Sequence, residues 1–416
     1  MAESLKGRAT EQLLPGTHRW EFKPRFRRHA FGWRSQPAVL RVRQAVAEIT
    51  KVAKRDPVLA ADGAVSFLER VSPALEQVDS SSGSIGTAVN NAIEEFVPLV
   101  ATAAADQKTR ARWLQRLWAA IEEDDIPYIE GLGEHWGDLC GSKEVASAWA
   151  DELISTTRLA VSPDRSVRGH FKGTIPCLSA LFRAERHAGI IELLAQESFW
   201  HYKRWAVKAM AATGKTSEAI DVAEASRGPW TTDWDVDQIC EQILLESGQS
   251  AEAYERYGLT ANRRTTNLAT FRAVVRKYPH ISEPEVLADL VAASPGEEGK
   301  WFAAAKEARL YDEALALATR SPGDPKTLTR ATRDFIKVNP GFALGAGLIA
   351  LHWLIEGYGY EISGADVWDA YSKTMAVADA VGKSAKIRGQ IRAMVAAGTP
   401  TAGSFVREIL GRELGL

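Results

Sequence analysis

The residues best suited to chemistry in this chain are bases and rings crowded together. The stretch HRWEFKPRFRRHAFGW, residues 18–33, interleaves Arg19, Lys23, Arg25, Arg27 and Arg28 with Trp20, Phe22, Phe26, Phe31 and Trp33. From His18 to Arg55, eleven Lys or Arg stand against two Glu, a local formal charge of +9. Guanidinium groups bond phosphate oxygens while rings stack on exposed bases, so the stretch suits nucleic acid. No recognised DNA- or RNA-reading motif accompanies it. Pro24 and the lack of a sustained amphipathic helix argue against an anionic membrane.

A segment of opposite charge offers an internal partner. Between Leu117 and Ser142 there is no Lys or Arg. The interval carries Glu122, Glu123, Asp124, Asp125, Glu130, Glu134 and Asp138, with Trp118, Tyr128 and Trp136 among them. Arginine meets carboxylates through two directed bonds and stacks on rings. The expectation is therefore an arm that docks on this segment, within the chain or between subunits. The candidate partner-binding residues are Arg19, Trp20, Arg25, Phe26, Arg27, Arg28 and Trp33, together with the seven acids.

Catalytic patterns are scarce. Glu130, Glu134, His135, Asp138 and Cys140 come nearest to a metal or paired-carboxylate set, but three glycines interrupt the helix that would align them. A polar surface or an internal ion-pair region is the preferred reading. DSSSGSIGT, residues 79–87, resembles a phosphate-binding loop, yet it lacks GxxxxGK[ST] and any base. It reads instead as a turn that caps the next helix. Asp233 and Asp235 beside Trp230 and Trp234 could line a pocket but define no mechanism. There is no HExxH, Cys/His zinc signature or GxSxG. No metal or cofactor is expected, and a binding protein is favoured over an enzyme. An enzyme that gathers its site from distant residues in a helical groove stays open as an alternative.

The elements that must position these residues are helical. Val39, Val42, Val46 and Ile49 recur at three and four, which predicts an amphipathic helix entered through Pro37. Further helices are expected over 60–78, 85–104, 109–122, 127–139 and 143–159. GFALGAGLIALHWLI, residues 341–355, is too short to span a bilayer and predicts a buried helix. In GYGYEISGADVWDAY, residues 357–371, Ser363 or Asp366 is expected to help start a helix. No series of alternating strands is visible, and Pro/Gly turns cut the remainder into short helices.

The totals agree. The chain has 416 residues, 45% hydrophobic and 25% charged, with a formal charge of -2. That near-neutral balance excludes a generally polycationic protein, so electrostatic function must be local. The three cysteines, Cys140, Cys177 and Cys240, form no CxxC and fit a reducing compartment. The opening MAESLKGRATEQLLPG lacks the apolar run of a secretory signal. A cytoplasmic location is expected.

A degenerate repeat runs through the middle. FRAERHAGIIELLA (182–195), WAVKAMAATGKTSEAIDVA (205–223), LLESGQSAEAYERYG (244–258) and WFAAAKEARLYDEALALA (301–318) each end one helix, turn and begin another. Their anchors Gly189, Glu218, Glu252 and Glu313 are 29, 34 and 61 residues apart, so a divergent unit could lie in the last gap. Over residues 182–318 the chain resembles tetratricopeptide-type helical hairpins, most clearly at Trp301 and Tyr311–Asp312–Glu313–Ala314. The resemblance implies an all-α chain of stacked helical hairpins, an α-solenoid or right-handed superhelix. It also implies protein or peptide binding on a concave face, and no catalytic residue. The expected organisation is a basic aromatic arm (1–36), an N-terminal helical domain (37–160), degenerate repeats (161–340) and a C-terminal helical cap (341–416). The function expected is a non-enzymatic protein- or peptide-binding scaffold without a cofactor, regulatory or part of a multiprotein assembly, with nucleic-acid binding through the arm as the alternative.

Overall fold

A computed structural model describes residues 18–398 and 402–416. The first 17 residues, part of the expected arm, lie outside the described residues. Among the described residues there is no strand, only one isolated bridge between Gly228 and Thr231. The protein is all-α, and it divides into two compact units, Met1–Thr231 and Thr232–Leu416. No helix among the described residues is long and apolar enough to cross a membrane.

The first unit contains α1 (Ser35–Ala53), α2 (Pro57–Leu75), α3 (Ser84–Thr102), α4 (Gln107–Glu122) and α5 (Trp136–Cys140). It continues with α6 (Lys143–Ala160), α7 (Thr174–Arg183), α8 (His187–Leu193), α9 (Trp200–Ala212) and α10 (Thr216–Glu224). Helix α1 buries Ala38, Val42, Ala45 and Ile49, one stripe of a 3.6-residue period. Asp56 caps α2 by accepting the Leu59 amide at 2.9 Å, with Pro57 in the first turn. Asp106 does the same for α4 through Thr109 at 2.7 Å. Arg116 then ties α4 to α2 with two bonds to Glu69, at 2.7 and 2.6 Å, and one to Asp62 at 3.0 Å.

The helix expected over 127–139 forms only in part. Its chain runs as a 3-10 segment, Glu130–His135, and then as the short α5. The glycines explain the break, because α7 comes too close for side chains. A Cβ on Gly137 would lie 2.4 Å from the Ser179 carbonyl oxygen, and one on Gly133 would lie 3.0 Å from Pro176. Ser179 completes the junction by accepting the Gly137 amide at 3.0 Å and donating to the Glu134 carbonyl at 2.9 Å.

The second unit contains α11 (Asp233–Glu246), α12 (Ser250–Ala253), α13 (Leu259–Ala261), α14 (Asn267–Lys277), α15 (Glu283–Ala292) and α16 (Phe302–Glu307). After these come α17 (Tyr311–Arg320), α18 (Pro325–Phe335), α19 (Pro340–Ile355), α20 (Gly364–Ala380), α21 (Ser384–Ala397) and α22 (Ala402–Leu414). A π-helical turn, Tyr254–Gly258, joins α12 to α13. Helix α19 is the apolar segment expected from sequence, and its buried residues include Phe342, Ala346, Gly347, Leu351 and Leu354. The Ser363 amide donates to the Asp366 carboxylate at 2.8 Å, so both expected residues serve the start of α20.

The sequence repeat corresponds to a repeated turn. After α7, α9, α11 and α16 the chain puts one residue in the left-handed region: Glu185, Gly214, Gly248 and Arg309. The following amide then bonds back five residues: Arg186 to Leu181, Lys215 to Met210, Gln249 to Leu244 and Leu310 to Ala305, all at 2.8–3.1 Å. This is a Schellman ending, which satisfies the last carbonyls and reverses the chain within three residues. Each left-handed residue precedes its sequence anchor by four, so the turns keep the anchors' spacings of 29, 34 and 61. Inside the long gap α14 and α15 are joined by Tyr278–Ser282 without that turn.

Candidate functional site

The basic arm is docked inside the first unit. Trp20, Phe22 and Phe26 are each at most 3% exposed. Phe22 and Phe26 meet Phe67 of α2 edge-on, with ring centres 5.9 and 5.0 Å away. Trp20 occupies the gap left by Gly63, where a Cβ would stand 2.3 Å from its ring. The amides of Glu21 and Phe22 donate to the Glu48 carboxylate at 2.7 and 3.1 Å. Arg28 and His29 meet Glu76 at 3.2 and 3.1 Å.

Within the chain this corrects the expected pairing of the arm with residues 117–142. The arm's described partners are α1 and α2, and its rings hold it. Burying one large apolar side chain contributes about 1.5–3 kcal/mol. An exposed ion pair such as Arg28–Glu76 contributes about 0–1 kcal/mol. The rings therefore decide where the arm goes, and the arginines are left outside. Arg19, Arg27 and Arg34 are exposed and meet no carboxylate among the described residues. Arg25 reaches Glu21 at 3.6 Å and Gln44 at 3.5 Å. Trp33 is 72% exposed, so of the three named rings only this one remains available to a partner.

The acidic segment is divided among several roles. Asp124 is buried and accepts the Ser72 hydroxyl at 2.5 Å and the Ile129 amide at 2.9 Å. Burial raises its proton affinity despite these donors. Glu134 pairs with Arg204 of α9 and lies 4.0 Å from His201. Glu122, Glu123 and Asp138 face solvent. Asp125 and Glu130 are exposed at the mouth of a cleft of about 250 Å³.

That cleft collects residues the sequence reading did not single out. Phe171, Tyr202, Ile121 and Ile175 give it apolar walls, and His170, Lys172, Thr174 and His201 supply polar groups. Lys172 is already committed: its ammonium donates to the carbonyls of Glu122 and Asp124 at 2.8 and 2.9 Å, closing the C-terminal end of α4. Burial, with Arg204 beside it, lowers the proton affinity of His201 and favours its neutral form. The one sequence cue to this region is HFKG, residues 170–173, where a histidine, a ring and a base precede a glycine between two helices.

The other chemical patterns come apart. His135 turns to Glu94 at 3.7 Å, and Cys140 is buried near Arg110, which bonds the Leu139 carbonyl at 3.2 Å. Among the described residues no three His, Cys, Asp or Glu side chains are placed to hold a metal. In DSSSGSIGT the cap position of α3 falls on Gly83, at φ 67°, without a side-chain cap. The expected turn is present, and its capping bond is absent. Asp235 bonds the capping Thr232 at the start of α11, while Trp230 is almost fully exposed.

The second unit encloses a polar cluster of its own. Glu241 is fully buried and accepts from Tyr278, Asn262 and Lys277, each at 2.5 Å. Asn262 also donates to the Gly258 carbonyl at the end of the π-helical turn, at 2.7 Å. Tyr254, edge-on to Tyr278 at 5.1 Å, donates to Asp289 at 2.7 Å. Its two carboxylate oxygens are thus taken up by three donors.

Comparison with protein-family models, with curated proteins and with solved structures found no match.

Proposed function

We propose that this chain is a non-enzymatic helical-repeat scaffold that binds a protein or peptide segment through the cleft of its first unit. In this reading the hairpins stack within each unit as in a solenoid, and loops between helices supply the binding groups. The observation that carries it is the make-up of the cleft. Aromatic and aliphatic walls meet two exposed carboxylates, while Lys172 and Glu134 are taken up by structural bonds. Such a pocket suits one anchoring side chain of a larger partner.

The test is affinity purification from native lysate with wild type and with a Glu130→Ala, Tyr202→Ala double variant. A nuclease-resistant protein that co-purifies with wild type and not with the variant is expected. Partners that the variant retains in full would sink the proposal.

A second reading rests on the arm. Its buried rings face the core and its arginines face water, joined by exposed Arg43 and Lys51 of α1 and Lys54 just after it. A surface so arranged would hold nucleic-acid phosphates without stacking on bases beyond Trp33. Binding of single-stranded oligonucleotides that is insensitive to sequence and falls steeply with salt is its signature. No binding at low salt would remove it.

A further inference from the structure

We infer that the cleft of the first unit is a receptor for a cationic side chain, an arginine or a lysine of the bound peptide. The inference rests on the peptide-binding reading and adds the chemistry of the anchor.

Three independent features point the same way. The first is charge. Asp125 and Glu130 sit exposed at the mouth, and their carboxylates make no hydrogen bond or ion pair with the described residues. Lys172 is held by two carbonyls, and the neighbouring Arg204 is held by Glu134. His201 is disposed to be neutral, so it does not oppose an arriving cation. An incoming phosphate or carboxylate would meet two carboxylates instead.

The second feature is the walls. Phe171 and Tyr202 are half-buried rings lining the same cleft. A ring face attracts ammonium and guanidinium groups, and the alkyl stem of either side chain packs on aromatic surface. The third is an unused polar atom. The Thr174 hydroxyl is buried, lines the cleft beside Tyr202 and has no hydrogen-bond partner of standard geometry. Tyr202 stands close enough to interact with it, and a buried hydroxyl without a well-formed bond is an acceptor that an entering N–H group would complete.

A cleft of about 250 Å³ admits one long side chain and not a helix. The rest of the peptide would therefore lie outside, over the rim made by Asp125, Pro127 and Glu130. Guanidinium would bond a carboxylate through two parallel N–H groups, while ammonium would act as a point charge.

The test uses the full chain and a pool of nine-residue peptides. Arg, Lys, Gln or Glu is fixed at the centre and the other positions are randomised. Enrichment of Arg- or Lys-centred peptides over Gln-centred ones by roughly fivefold or more is expected, and the Arg and Lys arms separate the two cations. Glu130→Gln and Asp125→Asn should each reduce that enrichment severalfold, and Glu130→Asp should restore part of it. Both positions are exposed, so unchanged melting curves serve as the folding control. Equal capture of Arg- and Gln-centred peptides, or preference for Glu-centred ones, overturns the inference. If such binding is still lost with Tyr202→Ala, the peptide reading survives without the cationic anchor. If no pool binds, both fall together.

Discussion

Each unit gathers carboxylates, rings and a lysine, and the two use them differently. In the first unit Asp125 and Glu130 remain at an open mouth, and the nearby cations are occupied elsewhere. In the second unit Glu241 is surrounded, and three donors converge on its two oxygens. Similar residue types therefore hold a fold together in one place and stay exposed, their carboxylates unpaired, in the other. The separating property is not burial alone. Asp124 is also buried at the cleft's edge, yet its donors are Ser72 and two backbone amides that shape the segment carrying Asp125 and Glu130. A satisfied acid supports two unsatisfied ones.

The comparison is broken most sharply at Glu241. Glu241→Ala leaves Lys277, Asn262 and Tyr278 without their shared acceptor and is expected to cost about 3–5 kcal/mol. Glu130→Gln is expected to change stability by less than about 0.5 kcal/mol. Denaturant melts of both variants check this, and a similar cost for the two would erase the distinction.

Next in size is the arm. Gly63→Leu fills the space of the Trp20 ring and should cost about 2–3 kcal/mol. Limited trypsin digestion would then cleave after Arg19, Arg25 and Arg27 much faster than in wild type. Unchanged protection would mean that the rings do not hold the arm.

The turns should behave alike in both units. Glu185 and Arg309 carry side chains in the left-handed region, at φ 58° and 60°. Glu185→Gly in the first unit and Arg309→Gly in the second should each stabilise by about 1 kcal/mol, read as a rise in melting temperature.

The smallest effects concern pH, and their signs differ between the units. Burial, with Arg204 nearby, lowers the proton affinity of His201, so the folded first unit binds fewer protons than the unfolded chain near pH 6. Its stability contribution is present above the ordinary histidine range and is lost as pH falls through it. Burial and the bond to Glu241 raise the Tyr278 phenol well above its ordinary range. That contribution is present below about pH 10 and is lost as pH rises further, once unfolded tyrosines ionise. Melts at pH 5.5, 7.5 and 10.5, with His201→Gln and Tyr278→Phe as controls, separate the two. A control variant that keeps the wild-type slope would remove the assignment.

Local features were legible in the sequence and distant meetings were not. The stripe of α1, the apolar α19 and the start of α20 follow from spacing and residue type within a few turns of chain. The repeat was visible because each hairpin turn is built from its own neighbours, with a left-handed residue at a fixed offset. The glycines that interrupt helix 127–139 are visible in the sequence, but what they answer to, the close approach of α7 some forty residues later, is not. The arm's seat within the chain is not legible in sequence, because charge can be counted along it, whereas the gap at Gly63 exists only once α2 is packed. The cleft joins residues 121–130 to 170–175 and 201–202, and no periodicity links those three stretches. Glu241 reads in sequence as an ordinary helical acid, since its donors lie 21 to 37 residues away.

The seat of Trp20 has a consequence for how the chain is made. The arm leaves the ribosome before the helices that receive it. Phe67, which meets Phe22 and Phe26, itself packs against Phe96 of α3, so the ring cluster is complete only when residue 96 has emerged. At roughly 5–20 residues per second, the interval from Trp20 to Phe96 takes about four to fifteen seconds. Throughout that interval three large rings flanked by arginines stand open to chaperones and to other nascent chains. The segment that ends buried against α2 thus begins as an exposed run of rings and arginines.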